Sequence, residues 1–391
     1  MLDKGQKQEA GDGSQQLQVG GGLTVNNGVL VTGNATFNNG ITVDELKQIK
    51  EIFNIQHQYT YKEITDIAFE TADKRIGEFE KRFEPRIIHI ENALLSFADP
   101  AFQILLRHAQ LSAASTEREA DYDLLTELLI YHIQKGKDRN YRAPIKKAIE
   151  IIGDIDNNAL SALTVYYLLN YMRPQSGDID IGINILETLF RDIIDTDLPF
   201  GDEWIEHLGI LNTIRISSLY IGDKTFLQTM SKFLNGYACV GIPQNSQYYI
   251  NAINLLDSVG IDHNILMPNI LINGYYRLPI IEGNKYDIYL CRELGRIKES
   301  ALTNEQIQAL NTIKEMYTND SSLQKKVNSE LIKKWDSFPI LKKIHDWWDQ
   351  IPLDFYINII GEIIALTNAR RFRPDIPNKF AKKATLKYTI V

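Results

Sequence analysis

The chain has 391 residues, of which 44% are hydrophobic and 24% charged, and a net charge of −8. That is enough for a sizeable core in two or three domains, and the acidic balance excludes a general attraction to nucleic acid. Two cysteines, Cys239 and Cys291, in no Cys-x-x-Cys pattern exclude a disulfide framework and suit a reducing compartment.

The start, Met-Leu-Asp-Lys-Gly-Gln, lacks the apolar core of a signal peptide. The most apolar long run, Phe355 to Leu366, is too short to span a bilayer and carries Glu362. A cytoplasmic location is expected.

From Val19 to Val43 a twelve-residue unit is written twice. Thr24-Val25-Asn26-Asn27-Gly28-Val29 falls on Thr36-Phe37-Asn38-Asn39-Gly40-Ile41, and Val19 falls on Val31. Branched and aromatic residues suit short strands, and Asn and Gly suit the turns between them. Between Gly11 and Val43 the sole charge is Asp12, so the strand edges carry no gatekeeper against another chain. Two or three coils also bury too little to stand alone. The expectation is a mini-solenoid or β-prism completed by other copies of the chain. Val19, Leu23, Val25, Val29, Val31, Phe37, Ile41 and Val43 would line the oligomer contact. A trimer is the first expectation and a stacked filament the second. The competing readings are a Gly/Asn-rich leader, or a ribbon folded back on its own body.

Asp44 reads as an N-cap, and Leu46, Ile49 and Phe53 have a-d-a spacing. A second helix is expected over about 61–83, where Phe69, Ala72, Ile76, Phe79 and Phe83 alternate three and four. Pro85 marks a break or a new helix start. That seam suits either a partner helix or the chain's own bundle. From Ile87 to Leu234 the pattern is helix after helix. Asp99-Pro100 opens one, and Thr116 with Glu119 reads as a capping box for the next. Between Gly236 and Gly295 short strands are expected at Tyr237–Val240, Tyr275–Leu278 and Tyr286–Leu290, with a hairpin turn at 282–285. Helices resume over 304–335, 339–348 and 353–369, and 386–391 could be a last strand.

The fold class is therefore mainly α: an irregular helical bundle with a short N-terminal β-repeat and a small β-containing segment near 236–295. The expected divisions are 1–43, 44–97, 98–235, 236–302 and 303–391.

Chemistry-bearing motifs are sparse. No Gly-x-Gly-x-x-Gly, Walker-type Gly-Lys-Ser/Thr or Gly-x-Ser-x-Gly is present. Asp154-Ile155-Asp156-Asn157-Asn158 begins like a calcium loop, but Ala159 and Val165 stand where Gly and Glu are needed. Glu203, Glu206 and His207 lack zinc spacing and read as a polar face. Arg118, Asp121 and Tyr122 lie within one turn and read as a salt-bridge cluster, with a ligand site as the alternative. The C-terminal stretch sets Arg370, Arg371, Arg373, Lys379, Lys382, Lys383 and Lys387 against Asp375 alone. Arg370, Arg371, Arg373, Lys382 and Lys383 are the candidate anion-binding residues, toward nucleic acid or an acidic membrane. The bland alternative is a solvated end that complements a helix dipole. No catalytic residue, metal or cofactor is expected. The function expected is a non-enzymatic scaffold or sensor whose partners are itself and some further protein, with an effector acting through the basic tail as the alternative.

Four stretches carry a resemblance: Gln8 to Ser14, Glu78-Phe79-Glu80-Lys81 leading to Phe97-Ala98-Asp99-Pro100, Thr116 to Tyr122, and Gly236 to Gly241. Through them the chain resembles an uncharacterised bacterial protein family of similar length, which implies no activity. Its Ala-Gly-Asp-x-Ser leader is similar to leaders on bacterial proteins linked to phage defence. The ending Ile360-Gly361 through Asn368-Ala369-Arg370 is similar to C-termini of abortive-infection-like proteins. The repeat itself resembles modules of trimeric phage fibres.

Overall fold

The computed structural model describes residues 24–26, 29–31, 43–88, 90, 93–136, 138–174, 176–217, 225–282, 288–290, 302–374, 376 and 389–390. The chain divides into two compact units, Met1–Thr71 and Ala72–Val391.

In the first unit, β1 (Thr24–Asn26) and β2 (Val29–Val31) pair antiparallel, with Thr24 opposite Val31 and Asn26 opposite Val29. Val25, Val29 and Val31 lie on these strands, and Val43 begins the helix that follows. Val19, Leu23, Phe37 and Ile41, and with them most of the repeat, lie outside the described residues. Helix α1 (Val43–Ile87) is continuous, where two helices with a cap at Asp44 were expected. No Gly or Pro occurs in it before Gly77, so nothing interrupts the backbone hydrogen bonds. Pro85 does not break it either. It sits in the last turn, where the lost amide costs one bond and the helix ends two residues later.

The second unit, from Ala72 onward, takes in the end of α1, then α2 (Ala93–Phe97), α3 (Pro100–Ser115), α4 (Glu119–Lys135), α5 (Arg139–Ile151) and α6 (Asn157–Tyr171). There follow β3 (Arg173–Pro174), α7 (Ile179–Ile193), α8 (Glu203–Ile210), β4 (Ile214–Ile216) and α9 (Phe226–Phe233). Next come β5 (Ile242–Pro243), α10 (Gln247–Ser258), β6 (Met267–Pro268), β7 (Tyr275–Arg277), β8 (Ile280–Glu282) and β9 (Ile288–Leu290). The chain continues through α11 (Asn304–Glu315), α12 (Ser321–Asp336), α13 (Pro339–Trp348), β10 (Phe355–Ile357), α14 (Ile359–Phe372) and β11 (Thr389–Ile390).

Side-chain caps start most of these helices. Asp99, with Pro100 behind it, accepts from the Ala101 amide, and Asp178 accepts from Asp180 and Ile181. Asp156, from the failed calcium motif, caps α6 through the amides of Asn158 and Ala159. Thr303 and Gln306 form a full capping box on α11. The box expected at Thr116 does not form. Its hydroxyl donates to Asp121 and accepts from the Arg118 amide, so Arg118 stands at the N-cap without a side-chain bond. A nearby carboxylate outcompetes the capping geometry.

Helix α14 lies against α4, α5, α6 and α7. Ile363, Ile364, Ala365, Leu366 and Ala369 are all buried there. Asn368 Nδ2 donates to the Thr164 hydroxyl of α6 at 3.0 Å. Gly361 lets this helix start close to the chain: a Cβ there would meet the Thr213 carbonyl. β10 pairs antiparallel with β4, so residues 355–357 are strand where a helix was expected to begin.

A second apolar cluster gathers Ile242, Leu256, Ile265, Leu278, Leu310 and Ile313 around the three-stranded sheet β5-β7-β6. β8 and β9 pair antiparallel, whereas the expected strand at Tyr275–Leu278 pairs with β5 and β6, and most of the turn expected at 282–285 lies outside the described residues. Tyr237–Val240 is not a strand. The Tyr237 ring packs over Gly182 of α7, and its hydroxyl donates to the Ser176 carbonyl at 2.6 Å. Arg277, 1% exposed, donates to the carbonyls of Gly236 and Gly177 and so ties β7 to that turn.

Candidate functional site

Helix α4 has two faces. Leu124, Leu125, Leu128 and Leu129 are fully buried and form one. Glu127, Ile130, Tyr131 and Gln134, at i, i+3, i+4 and i+7, form the other. This second face lines a cleft of about 310 Å³ together with Arg86 and Ile90, at and beyond the end of α1, and Arg370 in the last turn of α14. That volume lies at the lower end of the range for small-molecule sites.

Two guanidiniums and one carboxylate therefore line one cleft. Glu127, 13% exposed, forms an ion pair with Arg86, whose side chain is 45% exposed. Burial, and then the like charge of Arg370, hold Arg86 below the usual arginine value. Asp123, one turn before Glu127, pulls Arg86 the other way and is itself paired with Arg82 at 3.2 Å. Nη1 of Arg370 donates to the Ile376 carbonyl, which fixes the side chain against the turn after α14. Tyr131 is buried with its ring edge on Tyr141.

The basic C-terminal stretch thus separates into parts with different surroundings. Arg370 faces the cleft. Arg371 pairs with Asp195 at 3.4 Å, and Arg373 with Asp192 at 3.3 Å, near the end of α7. Lys382 and Lys383 lie outside the described residues.

Arg118 and Asp121 meet as a closed network. Asp121 is fully buried and receives Arg118 Nε at 2.7 Å and Nη2 at 2.6 Å. The same guanidinium donates to the carbonyls of Ile155 and Ile152 and to Asn157 Oδ1. Tyr122 takes no part in these bonds; Arg82 stacks on its ring instead. Glu203 and Glu206 are exposed on α8, and His207 Nε2 accepts from the Asp156 amide at 3.2 Å. Arg118, Asp121 and His207 thus tie chain segments together.

Arg86 and Glu127 were missed in the sequence. The one signal the sequence held is a single acid, Glu127, inside the apolar run Leu124 to Tyr131; nothing in it set Arg86 apart.

Fold and cleft define a mainly helical protein whose arginine-lined cleft lies among α1, α4 and α14. Among the described residues no helix is long and apolar enough to cross a membrane. The model of an uncharacterised domain family matches residues 40–377, and the chain belongs to that family. The match begins after most of the repeat and does not include Gln8 to Ser14. No curated protein and no solved structure matches the chain.

Proposed function

We propose that the protein is a non-enzymatic, cytoplasmic, homo-oligomeric scaffold or sensor. It assembles through its N-terminal repeat and the helix α1 that follows, and its second unit presents the binding surface. The observation that carries this reading lies on α1. Ile67 and Phe69 are 57% and 70% exposed, whereas Phe79 and Phe83 are 0% and 5% exposed. Burying a large apolar side chain is worth about 1.5–3 kcal/mol, so an exposed pair on one helix favours a covering partner. Ile67, which the sequence seams did not include, stands two heptads beyond Phe53 and three beyond Leu46, and Phe69 opens the seam read over 69–83. The helix follows a stretch in which Asp12 is the sole charge, which leaves its strand edges open to pairing. A second copy of the chain supplies both complements at once. A closed trimer is the first form proposed, and a filament the second.

The test is solution mass by light scattering, for the full chain and for a chain beginning at Asp44. A multimeric full chain with a folded, monomeric truncation is the expected result. Two monomers would remove the reading, and two identical multimers would move assembly from the repeat to the helices.

A further inference from the structure

We propose that Arg173, in the strand that follows α6, binds a small oxyanion, the carboxylate or phosphate group of a metabolite, through the open Nη2 side of its guanidinium. The proposal goes beyond the oligomer reading and is independent of it, because Arg173 and the groups that position it belong to the second unit.

The guanidinium is held in place by the fold. Nη1 donates to the Asn170 carbonyl at 3.3 Å and to the Met172 carbonyl at 3.4 Å. The guanidinium carbon lies 3.2 Å from the centre of the Phe233 ring, which covers one face of the plane. The backbone is held too, since β3 pairs in parallel with β11 and sets Thr389 opposite Arg173. A cation fixed in this way has little freedom left to lose when a ligand arrives.

Its charge is not answered. Among the described residues no carboxylate forms an ion pair with Arg173, and no other charged group, of either sign, moves its proton affinity. Burial alone holds it down at about 9, so it is still a cation at neutral pH. Nε is enclosed without a hydrogen-bond partner. An unpaired charge inside a fold is destabilising, and an anion that pairs with it removes that penalty. No neighbouring carboxylate is placed to repel one.

Holding the end of α6 accounts for Nη1 alone. Nη2 makes no hydrogen bond among the described residues and is not enclosed as Nε is. Two other interior arginines show the difference. Arg118 turns Nε and Nη2 to Asp121 and is answered within the fold. Arg277 also leaves Nε unbonded, but both its Nη atoms donate to carbonyls and it is 1% exposed, so no ligand reaches it. Arg173 is half-buried, with one donor free and open. A charge-assisted hydrogen bond to an oxyanion is the strong bond such a donor can form.

The experiment is calorimetric titration of the full-length protein at low salt with inorganic phosphate and, separately, with acetate. One saturable site is expected. Preference for phosphate assigns a phosphorylated ligand and preference for acetate a carboxylated one; either supports the site. Arg173→Met keeps an apolar stem over Phe233 and removes the charge. It should weaken binding about ten-fold or more, the scale of a lost charge-assisted hydrogen bond. Its urea midpoint should equal or exceed that of the parent chain, because an apolar side chain replaces an unpaired charge. Arg371→Ala, whose guanidinium pairs with Asp195, should leave binding unchanged. Three results would each overturn the proposal: no saturable binding of either probe, equal affinity in Arg173→Met and the parent chain, or a lower urea midpoint in Arg173→Met. The last would assign the guanidinium to holding the end of α6.

Discussion

Near its start and at its middle, α4 presents carboxylates to arginines in opposite ways. At the N-terminal end, Asp121 is fully buried and meets one guanidinium, and that guanidinium spends its remaining donors on two carbonyls and Asn157. Two turns on, Glu127 meets Arg86 while Arg370 lines the same space. The first arrangement is closed, with every charge answered within the fold. The second leaves an opening of about 310 Å³ lined by two arginines and one carboxylate. Perturbed, clustered charges occur in both, so clustering alone does not mark a binding site. The open volume is what separates the two arrangements.

The comparison can be broken at its closed end first. Asp121→Ala strips Arg118, 18% exposed, of its carboxylate inside the fold. Breaking a buried pair from one side costs about 3–5 kcal/mol, to be read from the urea midpoint at constant slope. Burial pushes the Asp121 carboxyl up while Arg118 and Thr116 pull it down. A loss below about 1 kcal/mol would mean that the network is not closed as described.

A smaller effect is expected from His132, on the same helix one residue after Tyr131. Burial, and then Arg142, hold its imidazole below the ordinary value of 6.5, with Asp99 opposing. A histidine lowered in the folded state gives stability that is present above its unfolded value and lost as pH falls through the folded one. The unfolding temperature should drop on acidification below about pH 6.5, and His132→Gln should reduce that drop. An equal drop in both chains would assign the acid sensitivity to other groups.

The smallest effect belongs to the arginines whose carboxylate partners are solvent-exposed. Arg371→Ala removes a pair whose Asp195 is 46% exposed and should cost about 1 kcal/mol or less. A larger loss would place Arg371 with the closed networks.

What could be read from the sequence follows the range of the forces involved. The helix start at Asp99-Pro100 depends on an amide two residues away, and the sequence pattern located it. Thr116 was misread because Asp121, a partner five residues on, took its hydroxyl. Tyr237–Val240 looked like a strand from its aromatic and branched residues, yet Tyr237 is placed by Gly182 and Ser176, which only packing brings near. The same limit applied to the cleft. Arg370 stood out in a basic cluster. Arg86 and Glu127 are ordinary residues until α1, α4 and α14 come together.

The position of α14 also bears on how the chain is made. This helix fills the middle of a bundle whose other members, α4 to α7, leave the ribosome long before it. Its partner α6 is complete at Tyr171, and α14 begins at Ile359. At the usual pace of synthesis, the intervening stretch takes roughly ten to forty seconds. Throughout that interval the groove that will receive Ile364, Ala365 and Asn368 lies open, with Thr164 still awaiting Asn368. The nascent protein must pass this stage with an uncovered apolar trough, and its yield in the cell should depend on how promptly the last helix arrives.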